Sequence, residues 1–247
     1  MTDADRRAVK RAAEGVTPRA SFIEALARGE VAVIAEVKRR SPSKGAIRDS
    51  ISAEAQAVAF ARGGAAAISV LTEPRHFGGA LADLESARDR VSIPLLRKDF
   101  HVDAIQLFEA RAAGASAVLL IARALSPARL QEMMSVADNL GLEPLVEVRT
   151  DAELMLALEL GARVVGINSR DLETLEVDAG VPERLLPLVP TEVIAVAESG
   201  IQGLDDVRDR ARWGADAVLV GSVFSASDDP ESAVRALTGV PRSPHAR

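Results

Sequence analysis

The sequence predicts an α/β protein folded as a single (β/α)8 barrel of the TIM type, and three observations carry that expectation. Eight short apolar runs alternate with helical patterns along the chain. The runs are nearly continuous in Val, Ile, Leu and Ala, as strands covered on both faces of a parallel sheet must be. A Gly-Ala pair stands just before four of them, in "GGAAAISV", "AGASAVLL", "LGARVVGI" and "WGADAVLV", at intervals of roughly fifty residues, the length of two βα units. For any one pair the plainer reading is a glycine that ends a helix in the left-handed conformation. Four in register argue for a repeated architecture. A doubly wound open sheet is the alternative.

In chain order the runs are "VAVIAEVK", "AAAISVLTE", "IPLLRKDF", "SAVLLIARAL", "EPLVEV", "RVVGINSRD", "VIAVAESG" and "DAVLVGSVF". The segments between them carry helix punctuation. In "VDAIQLFEARAAG", Asp103 stands three residues before Gln106 and Gly114 closes the pattern. Ser126-Pro127 reads as an N-cap followed by a first-turn proline, with Gly141 at the far end. "TDAE" from Thr150 has capping-box spacing, and Gly161 follows the last turn. Asp229-Pro230 opens the final helix. Nothing reads as an interdomain linker. Residues 1–247 are therefore expected to form one barrel domain, with a short N-terminal extension over about 1–30 and a frayed tail, "VPRSPHAR", over about 240–247.

The bulk composition narrows the function. A length of 247 residues suits one large barrel or two small domains. Hydrophobic residues make up 48% and charged residues 27%, enough for a sizeable core and a solvated surface. Aromatic residues are only 3% and tyrosine is absent, so Ala, Val, Leu and Ile must fill that core. A net charge of −6 argues against a general nucleic-acid or membrane surface and still permits a small basic pocket. There is no cysteine, which excludes disulfides and thiolate metal sites. His76, His101 and His245 are scattered without ligand spacing, so no metal is expected. "MTDADRRAVKRAAEG" lacks an apolar signal segment, and no run reaches the roughly 18–20 apolar residues of a membrane span. The expectation is a soluble, cytoplasmic protein.

A barrel of this kind does its chemistry at the C-terminal ends of its strands. Charges cluster there: Glu36-Val37-Lys38 after the first run, Lys98-Asp99 after the third, Glu147 after the fifth, Asn168-Ser169-Arg170 after the sixth, and Glu198-Ser199-Gly200 after the seventh. Side chains alternate along a strand, so Glu36 and Lys38 share a face. A single Glu/Lys pair is most simply a solvated ion pair, worth well under about 1 kcal/mol. Five strand ends of eight are not explained that way. Two lysines and two carboxylates in a partly dry mouth suit proton transfer. "ESGI" and "VGSV" follow the seventh and eighth runs, where barrels often hold phosphate on backbone N–H groups beside a short helix. Ser199 and Ser222 would add hydroxyl donors, and Ser41 and Lys38 would close the site from the first run. "SPSKG" lacks P-loop spacing.

Together "IAEVKRRSPSKG", "ISVLTE", "LLRKDFHVD", "EARAAGASAVLLI", "LVEV", "GINSRDLETLEVD" and "AESGI" resemble the indole-3-glycerol-phosphate synthase family, over about Phe22 to Val223 and in family order. The resemblance implies a (β/α)8 enzyme of tryptophan biosynthesis that converts 1-(o-carboxyphenylamino)-1-deoxyribulose 5-phosphate into indole-3-glycerol phosphate, without cofactor or metal. It implies roles residue by residue. The catalytic set is Lys98, Glu147, Glu36, Lys38 and Asn168. Lys98 would be the main general acid at the substrate carbonyl, Glu147 the general base, and Glu36 an aid to the proton transfers of dehydration. Lys38 would bind an anionic group and serve as an acid in one step. Asn168 and Arg170 would hold the anthranilate part, Arg170 through its carboxylate. Ser41, Ser199, Gly200, Gly221 and Ser222 would bind phosphate, and Phe77 would pack on the aromatic ring. "RRSPSKG" would be a mobile loop closing the mouth.

Three features depart from the family pattern. The N-terminal extension is short and weak, Phe60, Ile105 and Phe108 stand where tyrosines are common, and "GSVFSASDDP" lacks the acidic residue often found after its glycine. Another phosphate-binding barrel, such as a phosphoribosyl-anthranilate or histidine-pathway isomerase, needs a different acid/base set. A non-catalytic binder of a phosphorylated ligand would not need the set at all.

Overall fold

The computed structural model describes residues 2–17, 19–42, 45–48 and 52–243. Eight parallel strands close into a barrel in sequential order. They are β1 (Ala32–Val37), β2 (Ala67–Leu71), β3 (Leu95–Lys98), β4 (Ala117–Ile121), β5 (Glu143–Val148), β6 (Val164–Asn168), β7 (Ile194–Glu198) and β8 (Ala217–Val220). Each of the eight apolar runs contains one of them. β8 pairs with β1 through Ala217 and Ala32, which closes the ring and rules out the open sheet.

The N-terminal extension forms α1 (Asp3–Glu14) and α2 (Phe22–Leu26). After each strand come α3 (Ala53–Arg62), α4 (Leu81–Arg88), α5 (Ile105–Ala112), α6 (Pro127–Asn139), α7 (Asp151–Glu159), α8 (Gly180–Leu185), α9 (Leu204–Arg212), and the pair α10 (Ser222–Ala226) and α11 (Pro230–Arg235). The caps follow the local chemistry. Ser126, Thr150 and Asp229 accept from the backbone N–H three residues on. Gln106 Oε1 accepts from Asp103 N at 2.9 Å while Asp103 Oδ1 accepts from Ile105 N at 3.0 Å, so the helix opens where that spacing predicts. Gly64, Gly114, Gly161 and Gly214, the repeated glycines, all have positive φ. They end α3, α5, α7 and α9 and turn the chain into the even-numbered strands. The plainer reading of each and the repeat itself are therefore the same fact.

Two apolar layers hold the barrel. Outward residues such as Ala35, Val70, Leu120 and Val146 meet the helices. Inward residues Ala32, Ile34, Leu96, Leu145 and Val196 fill the lower interior, and Phe22 and Leu26 of α2 seal it from beneath. The Glu143 carboxylate at the start of β5 accepts from Ser21 Oγ (2.8 Å), Ile23 N (3.0 Å) and Phe22 N, which fixes that plug. α1 lies along α5, with Arg6 paired to Asp103 (2.8 Å) and Lys10 5.2 Å above the Phe108 ring. Phe60 meets Phe224 at 5.8 Å in the helical layer. Of "RRSPSKG", Ser43 and Lys44 lie outside the described residues, and Arg40–Ser41 pairs antiparallel with Gly45–Ala46. His245 and the rest of 244–247 also lie outside them. Among the described residues, no helix is long and apolar enough to cross a membrane.

Candidate active site

The register of the barrel decides which side chains meet. Glu36 is level with Ser69, and Ser69 with Leu96, two residues below Lys98. Glu147 leads through Gly166 to Val196, two residues below Glu198. Glu198 leads through Leu219 to Ile34, two residues below Glu36. Such two-residue steps are the stagger of an eight-stranded barrel, in which alternate strands share a layer. Glu36, Lys98, Glu147 and Glu198 thus form one layer at the top of the interior.

That layer is the floor of a cavity of about 370 Å³ at the C-terminal mouth, the expected place for a ligand. Lys98 Nζ donates to Glu198 Oε2 at 2.9 Å and lies 3.4 Å from Glu147 Oε2. Lys38 Nζ lies 3.5 Å from Glu36 Oε1 and 5.4 Å from the centroid of the Phe77 ring. Glu36 Oε2 also accepts from Ser69 Oγ at 3.2 Å. Phe77 and Phe100 form an aromatic wall, with ring centroids 6.3 Å apart. Ser41, Asn168, Arg170 and Ser199 complete the lining taken from the expected set. Gly200, Gly221 and Ser222 do not line the cavity; they form the turns behind its rim. Ser199 and Gly200 are consecutive residues at positive φ (66° and 74°), and Gly221-Ser222 begins the short helix α10. Phe60, Ile105 and Phe108 are also absent from the lining.

The electrostatics follow from burial. For Lys98, burial is the largest influence and lowers the pKa. The charges of Glu198, Glu147 and Glu36, with the Glu198 hydrogen bond, outweigh it, and the ammonium is held above its ordinary value. For Glu198, burial acts first and upward, Lys98 pulls down, and Glu147 and Glu36 push up, leaving the carboxyl at about 7. The two shifts describe one pair: a charged Lys98 facing a carboxyl that titrates near neutrality.

Several residues position the site in ways that only the structure shows. Gly166 leaves room for Glu198, because a Cβ there would stand 2.0 Å from Glu198 Oε1. Gly221 does the same for Glu36 at 2.6 Å, a need for space rather than for left-handed backbone. Ser225 Oγ accepts from Lys38 N and donates to the Glu36 carbonyl, both at 3.2 Å, tying α10 to the end of β1. Glu73 accepts from Arg75 N, His76 N and Phe77 N and fixes the turn that presents Phe77. Buried Arg97 bonds Thr72 Oγ1 (3.2 Å) and Asp99 Oδ2 (2.9 Å), bracing β3 on the face opposite Lys98. Glu198 itself was legible as a charged strand end, but its pairing with Lys98 required the register. Among the described residues, no group of three or more His, Asp or Glu side chains has metal-binding geometry.

A family profile described as indole-3-glycerol phosphate synthase matches residues 2–237. The chain belongs to that family. Indole-3-glycerol phosphate synthase 1 of Streptomyces coelicolor is 48% identical over 97% of this chain and 89% of its own length. The indole-3-glycerol phosphate synthase of Rhodococcus jostii is 48% identical with the same coverages. Among solved structures, the thiamine phosphate pyrophosphorylase of Pyrococcus furiosus superposes with a TM-score of 0.64 at 19% identity, over 85% of this chain and 94% of that one. That likeness speaks for the barrel alone.

Proposed function

We propose that this indole-3-glycerol phosphate synthase family member closes, decarboxylates and dehydrates 1-(o-carboxyphenylamino)-1-deoxyribulose 5-phosphate at the mouth of β1–β8. The observation that carries the reading is the Lys98 ammonium held between Glu198 and Glu147 on the floor of the cavity. In the first step the ring carbon bearing the carboxylate attacks the substrate ketone, and negative charge develops on the ketone oxygen. Lys98 donates a proton to that oxygen. The surrounding carboxylates keep Lys98 protonated, so the proton is in place, and it passes to the ketone oxygen as negative charge builds there. Loss of CO2 returns its electron pair to the ring. In the last step the new hydroxyl leaves as water after protonation, and Glu147, assisted by Glu36, removes the proton that restores the indole. Lys38 pairs with an anionic group of the substrate and supplies a proton in one step.

Binding uses the rest of the expected set. Phe77 packs on the anthranilate ring, with Asn168 and Arg170 beside it, and Arg170 pairs with the carboxylate. The phosphate sits at the turns Ser199-Gly200 and Gly221-Ser222, with Ser41 from the β1 side. Backbone N–H groups there need no countercharge of their own to hold an anion.

The test is the rise in indole fluorescence when purified protein meets the carboxyphenylamino-deoxyribulose phosphate. No rise from folded protein overturns the reading. EDTA is expected to leave the rate unchanged; a loss restored by a divalent ion would expose a metal step.

A further inference from the structure

The segment from Ser169 to Val177, between β6 and α8, carries Arg170 and contributes Leu172 and Leu175 to the cavity wall. Backbone pairing closes it, with Asp171 N donating to the Glu176 carbonyl at 2.9 Å and Asp178 N to the Ser169 carbonyl at 2.8 Å, and one carboxylate shapes its tip. Asp171 Oδ1 accepts from Glu173 N (2.7 Å) and Thr174 N (3.1 Å), and Leu175 N donates to the Asp171 carbonyl at 2.9 Å. The resulting turn forces Leu175, a non-glycine residue, to φ 64°. It also aims the Leu175 carbonyl at Arg170, whose Nη1 donates to it at 2.6 Å. The Arg170 guanidinium is thus oriented by the loop that follows it.

That loop is gripped from the neighbouring strand end. Arg149, just after β5, donates from Nη1 to the Ser169 carbonyl at 2.8 Å and sets Nε 3.3 Å from Asp171 Oδ2. Ser169 and Asp171 flank Arg170, so one guanidinium holds a backbone carbonyl on one side of the arginine and a carboxylate on the other. Arg149 is itself fixed, since its N–H donates to Glu153 Oε2 at 2.7 Å. The Arg149 and Asp171 side chains are only 21% and 23% exposed. The outer pair Arg123–Glu173 reaches the same loop with side chains 42% and 74% exposed, where solvent screens it.

We propose that Arg149 is a positioning residue for substrate binding: it holds the Ser169–Asp171 backbone so that Arg170 presents a preset fork to the substrate's aromatic carboxylate. The inference rests on the functional reading above and adds a determinant of carboxylate affinity that never touches the ligand. A guanidinium can bridge a carbonyl and a carboxylate in fixed geometry, and an ammonium cannot.

The experiment compares two ligands by calorimetry: an unreactive substrate analogue whose ketone is reduced to the alcohol, and indole-3-glycerol phosphate, which has the phosphate but no carboxylate. In Arg149→Met the analogue's Kd is expected to rise about tenfold, while that of indole-3-glycerol phosphate stays within about twofold. In turnover the loss falls on KM, with kcat within about twofold. Arg149→Lys recovers only part of the affinity. Asp171→Asn keeps the acceptor for Glu173 and Thr174 but drops the charge, and should weaken the analogue about threefold; combined with Arg149→Met its effect should not add. If Arg149→Met does not fold, Asp171→Asn carries the same comparison. Equal losses for both ligands, or an unchanged Kd for the analogue, overturn the proposal. Wild-type protein that does not turn over the substrate overturns the functional reading instead.

Discussion

The lower and upper layers of the barrel interior come from the same four strands and differ by two residues. Ile34, Leu96, Leu145 and Val196 make the lower layer, and Glu36, Lys98, Glu147 and Glu198 the upper. Both are shielded: Glu36 and Glu147 are 4% exposed and Glu198 2%, little more than the leucines beneath them. Desolvation therefore acts on both with opposite sign. Below, each apolar side chain gains about 1.5–3 kcal/mol on burial. Above, each charge loses hydration worth several kcal/mol, and a buried pair repays this only in good geometry. Three carboxylates around one ammonium leave an excess of negative charge, which Lys38 above them only balances in part. A layer chosen for stability would not look like this. The proposed reaction would account for it, and the following variants test that.

The sharpest way to break the upper layer is Lys98→Ala. Turnover is expected to fall about 10²–10⁴-fold, the range for a general acid, and affinity for indole-3-glycerol phosphate should change little. Near-normal kcat would remove Lys98 from the acid's role. Next comes Glu147→Gln, which keeps shape and hydrogen bonding but not basicity. A fall of about 10²–10³-fold with build-up of an intermediate is expected in rapid-quench kinetics, and unchanged kinetics would refute the assignment. The lower layer answers differently. Leu96→Ala should cost about 2–5 kcal/mol of stability in denaturant unfolding, while kcat per folded molecule stays near wild type. A mutant equally stable but inactive would mean that the two layers are not separable.

The contrast also explains what the sequence disclosed. Strand positions were legible because β1 to β8 are apolar on both faces, so each run announces itself without periodicity. The ends were legible because charge after such a run has no place in a core. The partner of Lys98 was not, since Glu198 is a hundred residues away and faces it only through the two-residue stagger, which no local pattern encodes. Gly166 is the same kind of case. It opens the quoted "GINSRDLETLEVD", yet its reason, the Glu198 carboxylate across the ladder, is visible only in space. Arg149 stands in none of the quoted motifs, and its targets are a backbone carbonyl and an Asp on the next strand's loop. Chemistry written in side-chain type was visible, and chemistry written in space was not.

The smallest expected effect tests the upper layer's burden directly, through pH. The Glu198 carboxyl is raised to about 7 in the folded protein, from 4.5 as its ordinary value. Between those values the folded state holds a proton that the unfolded state has released. Stability contributed by this group is therefore fully present below pH 4.5 and is lost as pH rises to about 7. Glu198→Gln is neutral throughout and cannot show that loss. Measured against it from pH 5 to pH 8, the wild type should fall behind progressively, by about 1–3 kcal/mol in denaturant unfolding. Lys98 remains charged over the whole interval and does not supply the trend. A difference that is flat with pH would show that Lys98 satisfies Glu198 fully. The upper layer would then be an ion pair like any other, and the case that its charges are held at a cost for the sake of the reaction would fall.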